Sequence, residues 1–119
     1  MPHFKDDSCY AASGKYCACI EFHLSEDKRR GFHTSQLIEY SLDPNPGAEE
    51  AGKDTPPQKL TLAFSTADVV ILGWRLSRLA NLLQENKLAA INILPKRYAE
   101  LDPKKPFVSS IEIKPVGKG

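Results

Sequence analysis

Cysteine is scarce in this chain and odd in number. Cys9, Cys17 and Cys19 are too few to build the disulfide framework of a small secreted domain, and they suit a reducing compartment. Long apolar runs are missing as well. No stretch approaches the roughly 18 residues of a spanning helix, and the first residues are polar (Lys5, Asp6, Asp7, Ser8), with no apolar signal core. The sequence thus points to a cytoplasmic protein with no membrane partner. A strong charge of one sign is also lacking. The net charge of +1 excludes a highly basic nucleic-acid protein and an acidic disordered tail. Seven glycines never cluster as G-x-x-x-x-G-K or G-x-G-x-x-G, which removes the phosphate loops, and no G-x-S-x-G elbow occurs.

What remains is a pattern of strands. At 119 residues and 41% hydrophobic content, one domain with a modest core is expected. Residues 1–15 lack periodicity and read as a flexible N-terminal tail. Residues 16–24 alternate: Tyr16, Ala18, Ile20, Phe22 and Leu24 take one face, and Cys17, Cys19, Glu21 and His23 the other. Residues 25–31 read as a charged turn. Residues 32–42 read as a second long strand, with Ile38, Tyr40 and Leu42 inward, so the two form an antiparallel hairpin. Residues 43–59 hold four of the nine prolines and two of the seven glycines and read as a mobile loop.

The clearest fold signals begin at Leu60. Large and small residues alternate over 60–64, residues 65–68 suit a type I turn or slightly longer loop, and 69–72 form a β-branched run expected to be covered on both faces. Gly73 ends the strand. The period then becomes helical over about 74–86, with Leu76, Leu79, Ala80 and Leu83 on one stripe, and Asn86 as a left-handed cap. A short strand at 88–94, a charged connection and a last strand from Phe107 follow. The fold class is α+β: a mainly antiparallel, strongly bent, barrel-like sheet of five to six strands with one helix. The domain spans residues 16–116.

Candidate chemistry is sparse. Cys17, Cys19, Glu21 and His23 share one strand face, which suggests a metal cluster. Alternate strand residues stand roughly 6.5–7 Å apart, whereas two thiolates on one zinc must approach within about 4 Å, given Zn–S bonds near 2.3 Å. No metal and no cofactor are therefore expected. His23 and His33 are placed to face each other across the first hairpin, as an ordinary cross-strand contact rather than an acid–base pair. The anomaly is at the helix start. Arg75 and Arg78 fall in the first turns, where cations are disfavoured by about 0.3–1 kcal/mol each, and no Asp or Glu joins them. With Gly73 allowing close approach and Trp74 offering a stacking surface, the set Gly73, Trp74, Arg75 and Arg78 is a candidate anion site. Lys28, Arg29, Arg30, Lys96 and Arg97 are secondary basic candidates.

The run "LTLAFSTADVVILGWRLSRLANLL" resembles small bacterial proteins of unknown function, a likeness that implies no activity. The strand-rich layout with one helix is similar in architecture to small bent-sheet barrels of the Sm-like kind. Those barrels place a helix before five strands, whereas here the helix lies between strands. None of their RNA-contact motifs occurs, so no binding residue is carried over. Short strands and a single helix leave sheet edges under-covered, which favours self-association. The expected function is that of a non-enzymatic, homo-oligomeric binding or assembly module. The alternative is a nucleic-acid or anion-binding module using the basic helix start. A small enzyme with a site assembled from distant residues is the third class.

Overall fold

The computed structural model describes residues 9–25, 27–47, 55–93 and 105–116. They form eight strands and one helix: β1 (Tyr10–Ala12), β2 (Cys19–Ser25), β3 (Lys28–His33), β4 (Leu37–Pro44), β5 (Gln58–Phe64), β6 (Ala67–Trp74), α1 (Ser77–Gln84), β7 (Leu88–Asn92) and β8 (Phe107–Pro115). The strands fall into two four-stranded sheets, ordered β1-β7-β2-β3 and β4-β5-β6-β8. Every pair is antiparallel except β2 with β7. The α+β class and the antiparallel pairing stand. The single sheet of five or six strands becomes two sheets, and no closed barrel forms among the described residues.

Alternation places the core. Ile20 and Phe22 of β2, Leu60, Leu62 and Phe64 of β5, and Val69 and Ile71 of β6 are all buried. Three phenylalanines join the sheets. Phe32 of β3 stacks on Phe64 of β5 with centroids 4.5 Å apart, and Phe22 meets both rings edge-on at 5.9 and 6.2 Å. Burying each such ring contributes roughly 1.5–3 kcal/mol. Leu76, Leu79, Ala80 and Leu83 are buried as the stripe predicted and add the helix to the same core, and Leu82, which the stripe did not include, is buried with them. Among the described residues no polar or charged side chain is buried. No helix there is long and apolar enough to cross a membrane.

The β5–β6 hairpin follows expectation, with Leu60 opposite Ile71 and Leu62 opposite Val69. Neither Ser65 nor Thr66 takes positive φ, which excludes the mirror-image hairpin turns. The helix end is also as read. Asn86 has φ 58°, its N–H donates to the Leu83 carbonyl, and the Lys87 N–H donates to Leu82, a Schellman arrangement.

Other expectations fail for traceable reasons. Part of the expected tail is ordered. Tyr10–Ala12 pairs with β7 and Cys9 is buried, a long-range pairing that three residues cannot announce by alternation. The long strand over 32–42 is two strands in different sheets, parted by a 3-10 turn at Thr34–Gln36. The Thr34 hydroxyl donates to the Cys17 carbonyl (3.1 Å), and the Ser65 N–H donates to the Gln36 carbonyl (2.8 Å), so both sheets grip the turn. The charged turn is shorter than 25–31, because Lys28, Arg29, Arg30 and Gly31 pair with β2. Tyr40 and Leu42 share the inward face with Leu62 and Leu60, but a bulge between Leu37 and Glu39 leaves Ile38 72% exposed. Strand pairing enters the expected loop: Asp43 faces Lys59 and Pro44 faces Gln58. Residues 48–54 lie outside the described residues. Only alternate residues of β6 are buried, so the run over 69–72 has one covered face and not two.

The helix begins at Ser77 and not at Trp74, because Trp74 completes β6 and Arg75 turns left-handed at φ 56°. In β8 an extra residue separates the pairs Leu72–Ser110 and Gly73–Val108, which lets adjacent Phe107 and Val108 both bury. Gly73 is required at this crossing. A Cβ there would collide with the Phe107 carbonyl oxygen and crowd a Leu76 methyl at 3.1 Å. Gly73→Ala should cost roughly 1–3 kcal/mol or more, since backbone must move to admit the methyl. Urea unfolding at constant m-value checks it, and an unchanged midpoint would mean that β8 is held elsewhere.

Candidate functional site

The helix start was the leading candidate, and its residues are drawn into a structural joint. β6 delivers Gly73 and Trp74 beside the beginning of β8. The backbone that approaches Gly73 belongs to Phe107, and Trp74 packs on the Phe107 ring at 5.4 Å and 53°. The Arg75 Nε–H donates to the Lys105 carbonyl at 2.6 Å. The Leu76 N–H donates to Gln58 Oε1 at 2.7 Å, tying the helix entrance to β5. Buried Cys9 closes the joint from the other side, its thiol donating to the Pro106 carbonyl at 3.4 Å. The left-handed backbone of Arg75 costs of order 1–2 kcal/mol for a residue with a Cβ, and these bonds hold it. Arg78 is different. It is exposed in the first turn of α1, where no acidic side chain stands. Of the four proposed residues, three form the joint with residues 105–107, and Arg78 remains as surface charge at the positive helix end.

The secondary basic set divides too. Lys96 and Arg97 lie outside the described residues. Lys28, Arg29 and Arg30 are consecutive exposed residues of β3, an edge strand of the first sheet. Arg30 sits over the Phe32 ring at 5.3 Å, a cation–π contact. Arg29 Nη1 is 3.8 Å from Glu21 Oε1, and His23 Nε2 is 3.1 Å from the same oxygen. Beside them opens a polar cleft of about 370 Å³ lined by His23, Ser25, Asp27, Lys28 and Arg29. It offers cationic donors, a hydroxyl and a carboxylate, with the imidazole held by Glu21. Sequence reading missed Ser25 and Asp27 because it treated the turn as mere solvated charge. It missed the His23–Glu21 contact because that contact depends on rotamers on one strand face.

The histidines do not meet. His23 is opposite Arg29, and His33 is opposite Cys19, because the register is set by Ile20 facing Phe32 and Phe22 facing Arg30. Cys17 lies before the strand with its thiol 3.8 Å from the Lys15 carbonyl, and Cys19 is exposed. Among the described residues no three His, Cys, Asp or Glu side chains gather as a metal-holding group. Comparison of the chain with protein-family models, with curated proteins and with solved structures gives no match.

Two outcomes follow from this geometry. Arg75→Ala should lower stability by about 1 kcal/mol through loss of the bond to Lys105, whereas Arg78→Ala should stay within about 0.5 kcal/mol, as ordinary surface changes do. Equal effects in denaturant titration would contradict the joint. Burial pushes the Cys9 thiol from its ordinary 9.0 up to about 11, against smaller lowering effects of the backbone and of Arg75. The folded protein therefore holds this proton more tightly than the unfolded chain. That stability is fully present below about pH 9 and is lost as pH rises to about 11. Titration of unfolding across this window should show the fall, and Cys9→Ala should remove its cysteine component.

Proposed function

We propose that this protein is a non-enzymatic binding module that assembles with copies of itself through a sheet edge. The observation that carries the reading is β4. It is an outer strand of the second sheet among the described residues, and it presents Ile38 at 72% and Tyr40 at 37% exposure. An edge strand offers a row of backbone donors and acceptors to another chain. Two large apolar side chains beside that row favour association, since burying one contributes roughly 1.5–3 kcal/mol. The reading places the module in the cytoplasm, where the free thiols of Cys9, Cys17 and Cys19 persist.

A second reading, recognition of an anion or nucleic acid, is supported by the cleft beside Lys28 and Arg29. Arg75 lends it less support, because its guanidinium engages Lys105.

Light scattering and sedimentation over a wide concentration range test the first reading. The expected result is a mass above that of one chain that falls on dilution, and that Ile38→Lys reduces to one chain without loss of the circular dichroism spectrum. A single chain at every concentration would reject self-assembly. For the second reading, anisotropy of a labelled single-stranded oligonucleotide should rise with wild-type protein, weaken steeply with salt and respond to Lys28→Ala with Arg29→Ala. No rise at low salt would reject it.

A further inference from the structure

Among the described residues four strands lie at sheet edges: β1, β3, β4 and β8. They differ in length and charge. β1 has three residues, too few for a stable ladder. β8 carries charges of both signs, Glu112 and Lys114, 3.9 Å from each other. β3 is basic, with Lys28, Arg29 and Arg30 exposed and no acidic residue. β4 is acidic, with Glu39 and Asp43 exposed and no basic residue. Like edges would oppose like charges: β3 against β3 sets cations face to face, and β4 against β4 sets carboxylates together. Opposite charges across a strand pair stabilise it and like charges directly opposite destabilise it.

We infer that the occupant of the β4 edge is the β3 edge of a second copy of this chain, a proposal that rests on the self-assembly reading above and names its surface. Spacing supports it along with charge. On the outward face of β3 stand Arg29, Gly31 and His33, the residues opposite His23, Glu21 and Cys19. On the outward face of β4 stand Glu39, Ser41 and Asp43, opposite Ala63, Thr61 and Lys59. Both sets repeat at two-residue steps. An antiparallel pairing that puts Arg29 against Asp43 puts Gly31 against Ser41 and His33 against Glu39. The same register brings Tyr40 beside Phe32 and Leu42 beside Arg30 on the inward face, where aromatic cross-strand pairs are favourable. The bulge at Ile38 ends the usable run just beyond Glu39. A two-fold arrangement satisfies both edges at once, because each copy supplies one basic and one acidic strand.

Two variants and their mixture test the pairing. Arg29→Glu alone sets carboxylates against Asp43 of the other copy, and Asp43→Arg alone sets guanidiniums against Arg29. Each variant by itself should sediment as a single chain at concentrations where the wild type associates. Mixed, they should form a one-to-one complex, since both interfaces of the mixed pair again join opposite charges. Wild-type association should also weaken as salt rises, because exposed charge pairs are screened. That measurement needs no variant and stands if either substitution disturbs folding. Wild-type association that persists unchanged in both single variants, or rises with salt, overturns this pairing and leaves the broader self-assembly reading intact. Failure of the mixture to associate overturns it equally. A wild type that is a single chain at all concentrations removes both.

Discussion

The contact of Phe22 and Phe32 with Phe64 is what makes two sheets one protein. Phe22 and Phe32 belong to the first sheet and Phe64 to the second, and the three rings lie within 4.5–6.2 Å of one another. Much else follows from this cluster. Phe32 must face inward from β3 while Leu37 and Leu42 pack on the core from β4. One straight strand could not serve both sheets, so the chain turns at Thr34–Gln36. The hydroxyl of Thr34, bonded to the Cys17 carbonyl, and the Gln36 carbonyl, bonded to Ser65, fasten that turn to both layers. A local break thus has a non-local cause.

That distinction decides what could be read from the sequence. Local rules worked where a short window carries the information. Ile20 and Phe22 face inward as alternation said, the hairpin joining β5 and β6 is in place, and Asn86 caps the helix with positive φ. Asn86 was legible because few residues tolerate that conformation. Windows failed where pairing spans the chain. Residues 32–42 alternate well enough for one strand, and nothing within them records that two sheets divide them. Tyr10–Ala12 pairs with β7 across some eighty residues of sequence, which no periodicity can show. Bulges break the alternation at Leu37 to Glu39, where Ile38 leaves the inward face while Tyr40 and Leu42 keep it, and near Ser110, where an extra residue enters β8.

The candidate site shows the same limit in electrostatic form. Arg75 was conspicuous because it lacked an acidic neighbour near the helix dipole. One acceptor it reaches is a backbone carbonyl, that of Lys105, thirty residues away. Sequence counts charged partners, whereas every residue offers a carbonyl, so an unpaired arginine in a sequence is weak evidence for a ligand. Gly73 was read as leaving room for an anion to approach, and what approaches it is the backbone of Phe107. The features were therefore real, and their shared purpose is to join β6, α1 and β8. Cys9 reaches the same place, with its thiol on Pro106 and its pKa raised by burial. A segment that looked like tail supplies part of the joint.

Charge along the sequence and charge across the fold are different quantities. Residues 1–59 carry a net of −3 and residues 60–119 a net of +4, which suggests that complementarity lies between the halves. The folded chain arranges it otherwise. The concentrated basic strand, β3, lies in the acidic half, and the acidic strand β4 follows it after only three residues. Both are edges, one in each sheet. The turn that Phe32 and Phe64 require is also what separates these two strands into different sheets. A β3–β4 hairpin within one chain would have neutralised both edges internally. With the two strands in different sheets, the described residues leave the basic strand at an edge of one sheet and the acidic strand at an edge of the other. The contact that joins the two sheets thus also sets the basic and the acidic strand on separate edges.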